Sequence, residues 1–304
     1  MSGKVRKAAL VGAKGMLARM VQAAAPSSLS IQGFTRLEFD LTDADQVRRA
    51  MEEFHPQVII NCCAYTEVDR CEDEEELATL VNGKGPGYLA AVARDLDATL
   101  VHISTDYVFP GDGDRPYRES DSTGPVSAYG RSKLEGERTI LESGLEKYFI
   151  IRTSWLYGPW GKNFVETILR LAADREELRI VADQVGRPTY TGDLATAIFR
   201  LLDLEMNPAI STPARGLYGI YHFANEGQCS WYDFAREIVR LARQKGLPVK
   251  TCRIDPVTTE QFPLPAKRPA FSVFDTAKYQ KVASASIPSW QESLKAYLEV
   301  REWS

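Results

Sequence analysis

The chain predicts an α/β protein, a doubly wound parallel sheet joined to a smaller, partly interleaved α/β unit. Three observations lead there: β-rich runs alternate with helical stretches along the first half, a glycine turn follows the first such run, and 304 residues with 44% apolar content can bury cores for about two domains. The first apolar run covers residues 5–11, broken by Arg6 and Lys7. Runs at 29–34, 58–62, 99–104 and 148–152 follow at intervals of about 25 to 45 residues, as βαβ units require. Between them, 43–54 and 74–95 read as helices, with Asp43 a cap after Leu41-Thr42. Right-handed crossovers place every strand's carboxyl end along one edge, so Gly12, Ala64, Thr105 and Thr153 converge at one crevice. In the second half, 163–173, 191–204 and 230–244 are amphipathic helical stretches, with proline-rich connections around 256–269.

The turn Gly12-Ala13-Lys14-Gly15-Met16-Leu17-Ala18 reads as strand, glycine turn, helix. Gly12 permits the tight turn, Gly15 lets the backbone approach a pyrophosphate, and the small Ala18 lets the helix pack closely on the strand. The free N–H groups of the helix start, at Gly15, Met16 and Leu17, then face the phosphates with the positive end of the helix dipole. Residues 1–155 are therefore expected to form a Rossmann-type NAD(P)-binding domain, to which the chain returns around 190–225. Residues 156–304 are expected to form mainly a substrate domain, with the ligand between the two. An NAD-selective site usually ends its second strand with an acidic residue, but here 29–34 leads into Thr35-Arg36. A guanidinium there can meet a 2′-phosphate, which favours NADPH, with NADH as the alternative if Arg36 only points into solvent.

Tyr129 and Lys133 stand four residues apart, about two dozen residues after the strand end Ser104-Thr105-Asp106. On a helix this spacing puts phenol and ammonium on one face, where the positive charge favours the phenolate. A free phenol, with a pKa of about 10, is otherwise poorly matched to proton exchange with an alcohol or ketone near neutrality.

The formal net charge of -4 and the lack of a basic, aromatic-interleaved stretch argue against nucleic acid as a partner. No apolar run reaches membrane-spanning length, and Met1-Ser2-Gly3-Lys4 is not followed by a signal-peptide core, so a soluble, cytoplasmic protein is expected. Five cysteines, Cys62, Cys63, Cys71, Cys229 and Cys252, lack Cys-x-x-Cys spacing and read as reduced and mostly buried. His55, His102 and His222 are scattered singly, which suits packing or hydrogen bonding better than metal ligation. The acidic run from Glu72 to Glu76 is read as serving a helix dipole and solvent, without function.

With these words in order, the chain resembles the extended short-chain dehydrogenase/reductases and, within them, the dTDP-4-dehydrorhamnose reductases. The resemblance runs nearly end to end. It rests on Asn61-Cys62-Cys63-Ala64-Tyr65-Thr66-Glu67-Val68-Asp69, Ser104-Thr105-Asp106-Tyr107-Val108-Phe109, Tyr129-Gly130-Arg131-Ser132-Lys133, Arg152-Thr153-Ser154-Trp155-Leu156-Tyr157, Asp183-Gln184-Val185-Gly186-Arg187-Pro188-Thr189 and Pro265-Ala266-Lys267-Arg268-Pro269. It implies reduction of the C4 ketone of a dTDP-4-dehydro-6-deoxysugar, with Tyr129 as general acid, Lys133 lowering its pKa and holding the nicotinamide ribose, and Thr105 donating to the oxyanion. It also implies cofactor contacts at Asp40, Leu41, Cys62, Cys63 and Ala64, and sugar contacts at Asp106 and Trp155. The two cysteines replace small alanines, and Tyr65 stands where the family often has histidine. Arg268 is assigned to the nucleotide diphosphate; Trp231, Trp290 and Trp303 are candidates to stack on thymine, though core packing is the plainer reading. The same resemblance admits a 4-ketoreductase of opposite C4 outcome. It also admits a regulatory subunit like that of methionine adenosyltransferase, or a cofactor sensor without turnover. Some relatives form magnesium-bridged dimers; a homodimer stays open, and no metal is assigned because matching acidic ligands are not traceable.

Overall fold

Alternate residues of the central strands face two different cores, which is why these strands read as nearly continuous apolar runs. The structure, a computed structural model, describes residues 5–206 and 216–301; Met1-Ser2-Gly3-Lys4 and Trp303 lie outside the described residues. Strand β1 (Arg6–Val11) leads through Gly12 into α1 (Met16–Ala23), followed by β2 (Leu29–Phe34), α2 (Ala44–Phe54) and β3 (Val58–Asn61). Next come α3 (Arg70–Asp73), α4 (Glu75–Ala78), a π-helical stretch (Thr79–Lys84), α5 (Gly85–Asp95), β4 (Thr99–Thr105), α6 (Ala128–Glu142) and β5 (Tyr148–Thr153). Ala8, Leu10, Val58, Ile60, Val101, Phe149 and Ile151 pack on one face of the sheet, whereas Ala9, Val11, Ile59, Leu100 and Ile150 pack on the other, with Val47, Leu89 and Ile140.

The helix starts follow the local rules. Asp43 accepts from the backbone N–H groups of Asp45 and Gln46 at 3.0 Å, as a cap should. The stretch 74–95 is helical from Glu75 onward, as expected, with a π-helical segment between α4 and α5. Pro86 near the start of α5 has no N–H to give to the preceding turn, and the backbone passes through π-helical residues before it.

Beyond β5 the chain forms short strands β6 (Leu156–Tyr157), β7 (Glu177–Val181), β8 (Val185–Gly186) and β9 (Thr189–Tyr190), with α7 (Phe164–Asp174) between β6 and β7. Then α8 (Thr191–Met206) packs against α1, and β10 (Gly219–His222) pairs in parallel with β5. The sheet order is therefore β10-β5-β4-β3-β1-β2, all parallel. The chain then adds β11 (Cys229–Ser230), α9 (Trp231–Gln244), β12 (Arg253–Val257), α10 (Ala277–Ala283) and α11 (Trp290–Val300). Helices α7, α9 and α11 share a third core through Ile168, Phe234, Ile238, Leu294 and Tyr297. Strand order reverses between β1 and β3, and at such a switch point the crevice beyond the carboxyl ends is open to a ligand. Among the described residues, no helix is long and apolar enough to cross a membrane.

Candidate active site

The loops after β1 and β3 meet closely at the switch point. Gly12 has φ +79°, and a Cβ there would sit 2.8 Å from the backbone nitrogen of Cys63, so only glycine fits both the turn and the approach. Gly15 caps α1 with no side-chain hydrogen bond, which leaves the first N–H groups of the helix uncapped by side chains and available to an anion. Leu17 and Leu41 have their side chains in the two sheet cores, so their main chains are what they can offer a ligand. Met16 is half-buried, beside Asn163 and Gly161. Arg36 is 84% exposed and reaches Asp40 at 3.0 Å, while Asp40 also accepts from the backbone and hydroxyl of Thr42. Cys62, Cys63 and Ala64 are half-buried, and all five cysteines are free; Cys71 and Cys229 are buried and Cys252 is exposed. Burial pushes the Cys62 thiol up to about 12, so it stays protonated.

Helix α6 carries Tyr129 and Lys133 and is positioned from several sides. Ser127 caps it, accepting from the N–H of Gly130 at 3.2 Å. Glu72 accepts from the N–H of Ala128 at 2.9 Å, and Glu75 pairs with Arg131 at 2.8 Å, so the acidic run clamps this helix as well as facing solvent. Asn82, in the π-helical stretch, bonds both backbone groups of Tyr65 and the hydroxyl of Ser132, tying the loop after β3 to α6. A Cβ on Gly130 would lie 2.3 Å from the Tyr107 carbonyl oxygen, which explains a glycine beside the tyrosine. Deep beneath, Glu137 receives both the Nε and Nη2 of Arg152 at 2.9 and 2.6 Å, with both side chains almost fully buried.

The Tyr129 ring meets Tyr107 edge-on, with centroids 5.4 Å apart. Burial pushes its phenol up, and a hydrogen bond with the Thr105 hydroxyl pulls the other way, so the tyrosine holds its proton in this state. The Lys133 ammonium is drawn down to about 8 by burial, opposed by Glu137 and the thiols of Cys63 and Cys62. It donates to the Ile103 carbonyl at 2.7 Å and stands 3.4 Å from His102 Nε2. Here the fold departs from the i, i+4 expectation: burial raises the Tyr129 phenol rather than the lysine lowering it, and burial draws the lysine itself down to about 8.

Thr105 donates to Asp106 at 3.0 Å, whereas the second oxygen of that buried carboxylate has no hydrogen-bond partner. Burial pushes Asp106 up to about 6, against hydrogen bonds from Ser272 and Thr105. Trp155 has φ +47°, an unusual backbone for a bulky residue, and its ring stacks on Trp231 at 3.5 Å. Trp231 thus has an aromatic partner already, and Trp290 is buried in the third core. Arg268 makes a forked pair with Asp69, 2.8 Å between Nη2 and Oδ2, which fastens the C-terminal segment to the loop after β3. Tyr65 points its hydroxyl at Glu74. Arg187, named only as part of a motif, keeps a buried Nε without a partner while its Nη1 meets Glu226 at 3.3 Å. Among the described residues, no group of three or more His, Cys, Asp or Glu is placed to hold a metal ion. A cavity of about 790 Å³ opens elsewhere, between Glu166, Arg170 and Leu247. The site is marked instead by polar groups converging at the strand ends.

The family model described as the RmlD substrate binding domain matches residues 6–302. The chain belongs to that family. A dTDP-4-dehydrorhamnose reductase of Streptomyces griseus is 40% identical over 94% of this chain and 90% of its own length. A probable dTDP-4,6-dihydroxy-2-methyloxan-3-one 4-ketoreductase of Streptomyces antibioticus is 38% identical over 94% of this chain and 92% of its own. Among solved structures, the dTDP-4-dehydrorhamnose reductase of Bacillus anthracis in complex with NADP superposes with a TM-score of 0.89 and 38% identity, covering 97% of this chain and 99% of that one. Membership of this family makes the chain an oxidoreductase, with the mostly parallel α/β sheet of its structural neighbours.

Proposed function

We propose that the protein reduces the C4 ketone of dTDP-4-dehydro-6-deoxy-L-mannose to dTDP-L-rhamnose with NADPH. The observation that carries this reading is the meeting of a protonated Tyr129, Thr105 and the buried Asp106 at the carboxyl end of β4, beside the Gly12–Cys63 cradle. That cradle and the open start of α1 suit a dinucleotide: Gly12, Gly15, Met16 and Leu17 offer main chain to its phosphates, Cys62, Cys63 and Ala64 line it, and Arg36, Asp40 and Leu41 flank the adenosine end. Bound there, the reduced nicotinamide supplies the hydride. Tyr129 gives its proton to the ketone oxygen, and Thr105 turns its hydroxyl from Asp106 to the charge growing there. Lys133 holds the ribose side and restores the tyrosine's proton. Asp106 and Trp155 contact the sugar, and Arg268, braced by Asp69, serves the diphosphate. Residues 1–155 with the segments returning around 190–225 hold the cofactor, and 156–304 mainly hold the sugar nucleotide. Five free thiols suit a reducing, cytoplasmic setting.

The Streptomyces antibioticus relative, at nearly the same identity, supports one competing reading, a 4-ketoreductase acting on another dTDP-sugar. Supplying the ketosugar in situ from dTDP-glucose by a dehydratase and an epimerase, adding this protein with NADPH, and identifying the product by NMR separates the two. dTDP-L-rhamnose is expected; the other C4 epimer, or no product, overturns the proposal.

A further inference from the structure

We propose that Asn61 and His102 form a buried hydrogen-bond relay of fixed direction beneath Lys133, which favours the uncharged amine and so sets the pH at which the site loses its proton. The inference deepens the reading of Tyr129 and Lys133 as the proton-transfer pair and rests on it.

The direction follows from atoms that have no choice. The N–H of Cys63 can only donate, and it donates to Asn61 Oδ1 at 3.0 Å. The other end of that amide, its NH₂, then faces His102 Nδ1 at 3.1 Å and must donate to it. Nδ1 therefore carries the lone pair, and the proton of the neutral imidazole sits on Nε2. Nε2 stands 3.4 Å from Lys133 Nζ, so an N–H is aimed at the lysine nitrogen. An amine can accept it; an ammonium cannot. The other lysine partner, the Ile103 carbonyl at 2.7 Å, takes an N–H from either form and does not discriminate.

Glu137 and the thiols of Cys63 and Cys62 act against this bias without overturning it. Asn61, His102 and Lys133 are all buried to within 1% of full burial, so water does not compensate. Glu137, one turn along α6, is committed to Arg152. The thiols of Cys62 and Cys63, from the end of β3, are held protonated by burial. Burial and the neighbouring Lys133 keep His102 itself neutral. A lysine titrating near 8 can pass a proton to the Tyr129 face of the same helix and regain it at each turnover. One at the ordinary value of about 10.4 gives its proton up far less readily. His102 and Asn61 are fully buried and act through Lys133, so they are positioning residues.

The chain has three histidines, so imidazole ¹⁵N NMR on the NADP⁺-loaded enzyme can read each tautomer. His102 is expected with its proton on Nε2. His222, whose Nδ1 donates to the Tyr117 carbonyl at 3.0 Å, is expected with the opposite tautomer and serves as an internal control. In Asn61→Asp, a carboxylate accepts from both Cys63 and His102 Nδ1, so the tautomer should switch and Nε2 should accept from the ammonium. The alkaline limb of kcat/KM should then rise by about one pH unit or more. His102→Phe alone should raise the limb as well, and in that background Asn61→Asp should lose more than half of its effect. A wild-type His102 protonated on Nδ1 overturns the relay. So does an Asn61→Asp shift of equal size with and without His102, which would be bare charge, or a limb that His102→Phe leaves in place or lowers. Normal rate and cofactor affinity in Lys133→Met, with the His102 tautomer as stated, would instead overturn the role given to the lysine and leave the relay geometry standing.

Discussion

Replacing Asp106 by asparagine should make the protein more stable and less active, and the two effects should separate with pH. The carboxyl is 2% exposed, one oxygen has no partner, and burial lifts its pKa from 3.8 to about 6. Because the folded state holds this proton at pH values where the unfolded chain has released it, stability falls as pH rises from about 4 to about 6. Above that window the shift of roughly 2 units costs about 3 kcal/mol. Asparagine removes the charge and keeps an oxygen for the Thr105 hydroxyl, but it leaves an amide N–H where Oδ2 has no partner, a loss of about 1–2 kcal/mol. The net gain should be about 1–2 kcal/mol near pH 7.5 and should reverse to a loss of about 0.5–1.5 kcal/mol near pH 4. Urea unfolding at the two pH values measures it. Activity should fall at least about tenfold in kcat/KM if the carboxylate accepts from the sugar, since such charge-assisted bonds contribute about 1.5–3 kcal/mol. A variant less stable than its parent near pH 7.5, or one equally stabilised at both pH values, would refute the reasoning.

Glu137→Gln leaves Arg152 charged and buried without its counter-ion, so it should lose about 3–5 kcal/mol by urea unfolding. Glu137→Gln combined with Arg152→Met should recover much of that loss, and a single variant within 1 kcal/mol of wild type, roughly, would contradict the burial argument. Tyr129→Phe should cut kcat by about 10²–10⁴ while NADPH affinity, measured by fluorescence titration, stays nearly unchanged; normal turnover would remove the phenol from the chemistry. Arg36→Ala should erode the preference for NADPH over NADH in steady-state kinetics, and an unchanged ratio would assign the 2′-phosphate to another group.

What could be read along the chain was whatever depends on near neighbours. The glycine turn, the alternation of strands and helices, the Asp43 cap and the Tyr129–Lys133 spacing are all local, because turn sterics, side-chain period and capping act within a few residues. The family words added the reductase class. Local reading fell short where a residue's partner lies far along the chain. The stretch 74–95 is helical as expected, but nothing local shows the widened turn from which Asn82 reaches Tyr65 and Ser132. The acidic run looked merely solvated because Ala128 and Arg131, which Glu72 and Glu75 hold, come more than 50 residues later.

The tertiary structure alone decided the electrostatics of the site. Asn61, His102 and Lys133 come from three elements, and only packing makes them one buried line. Trp155 meets Trp231 across 76 residues of sequence, and Arg268 meets Asp69 across 199. Sequence determined which groups could ionise and on which face of α6 they stand. Folding determined how far each is removed from water and which fixed donor it faces, and those two quantities set whether a tyrosine keeps its proton and whether a lysine gives one up.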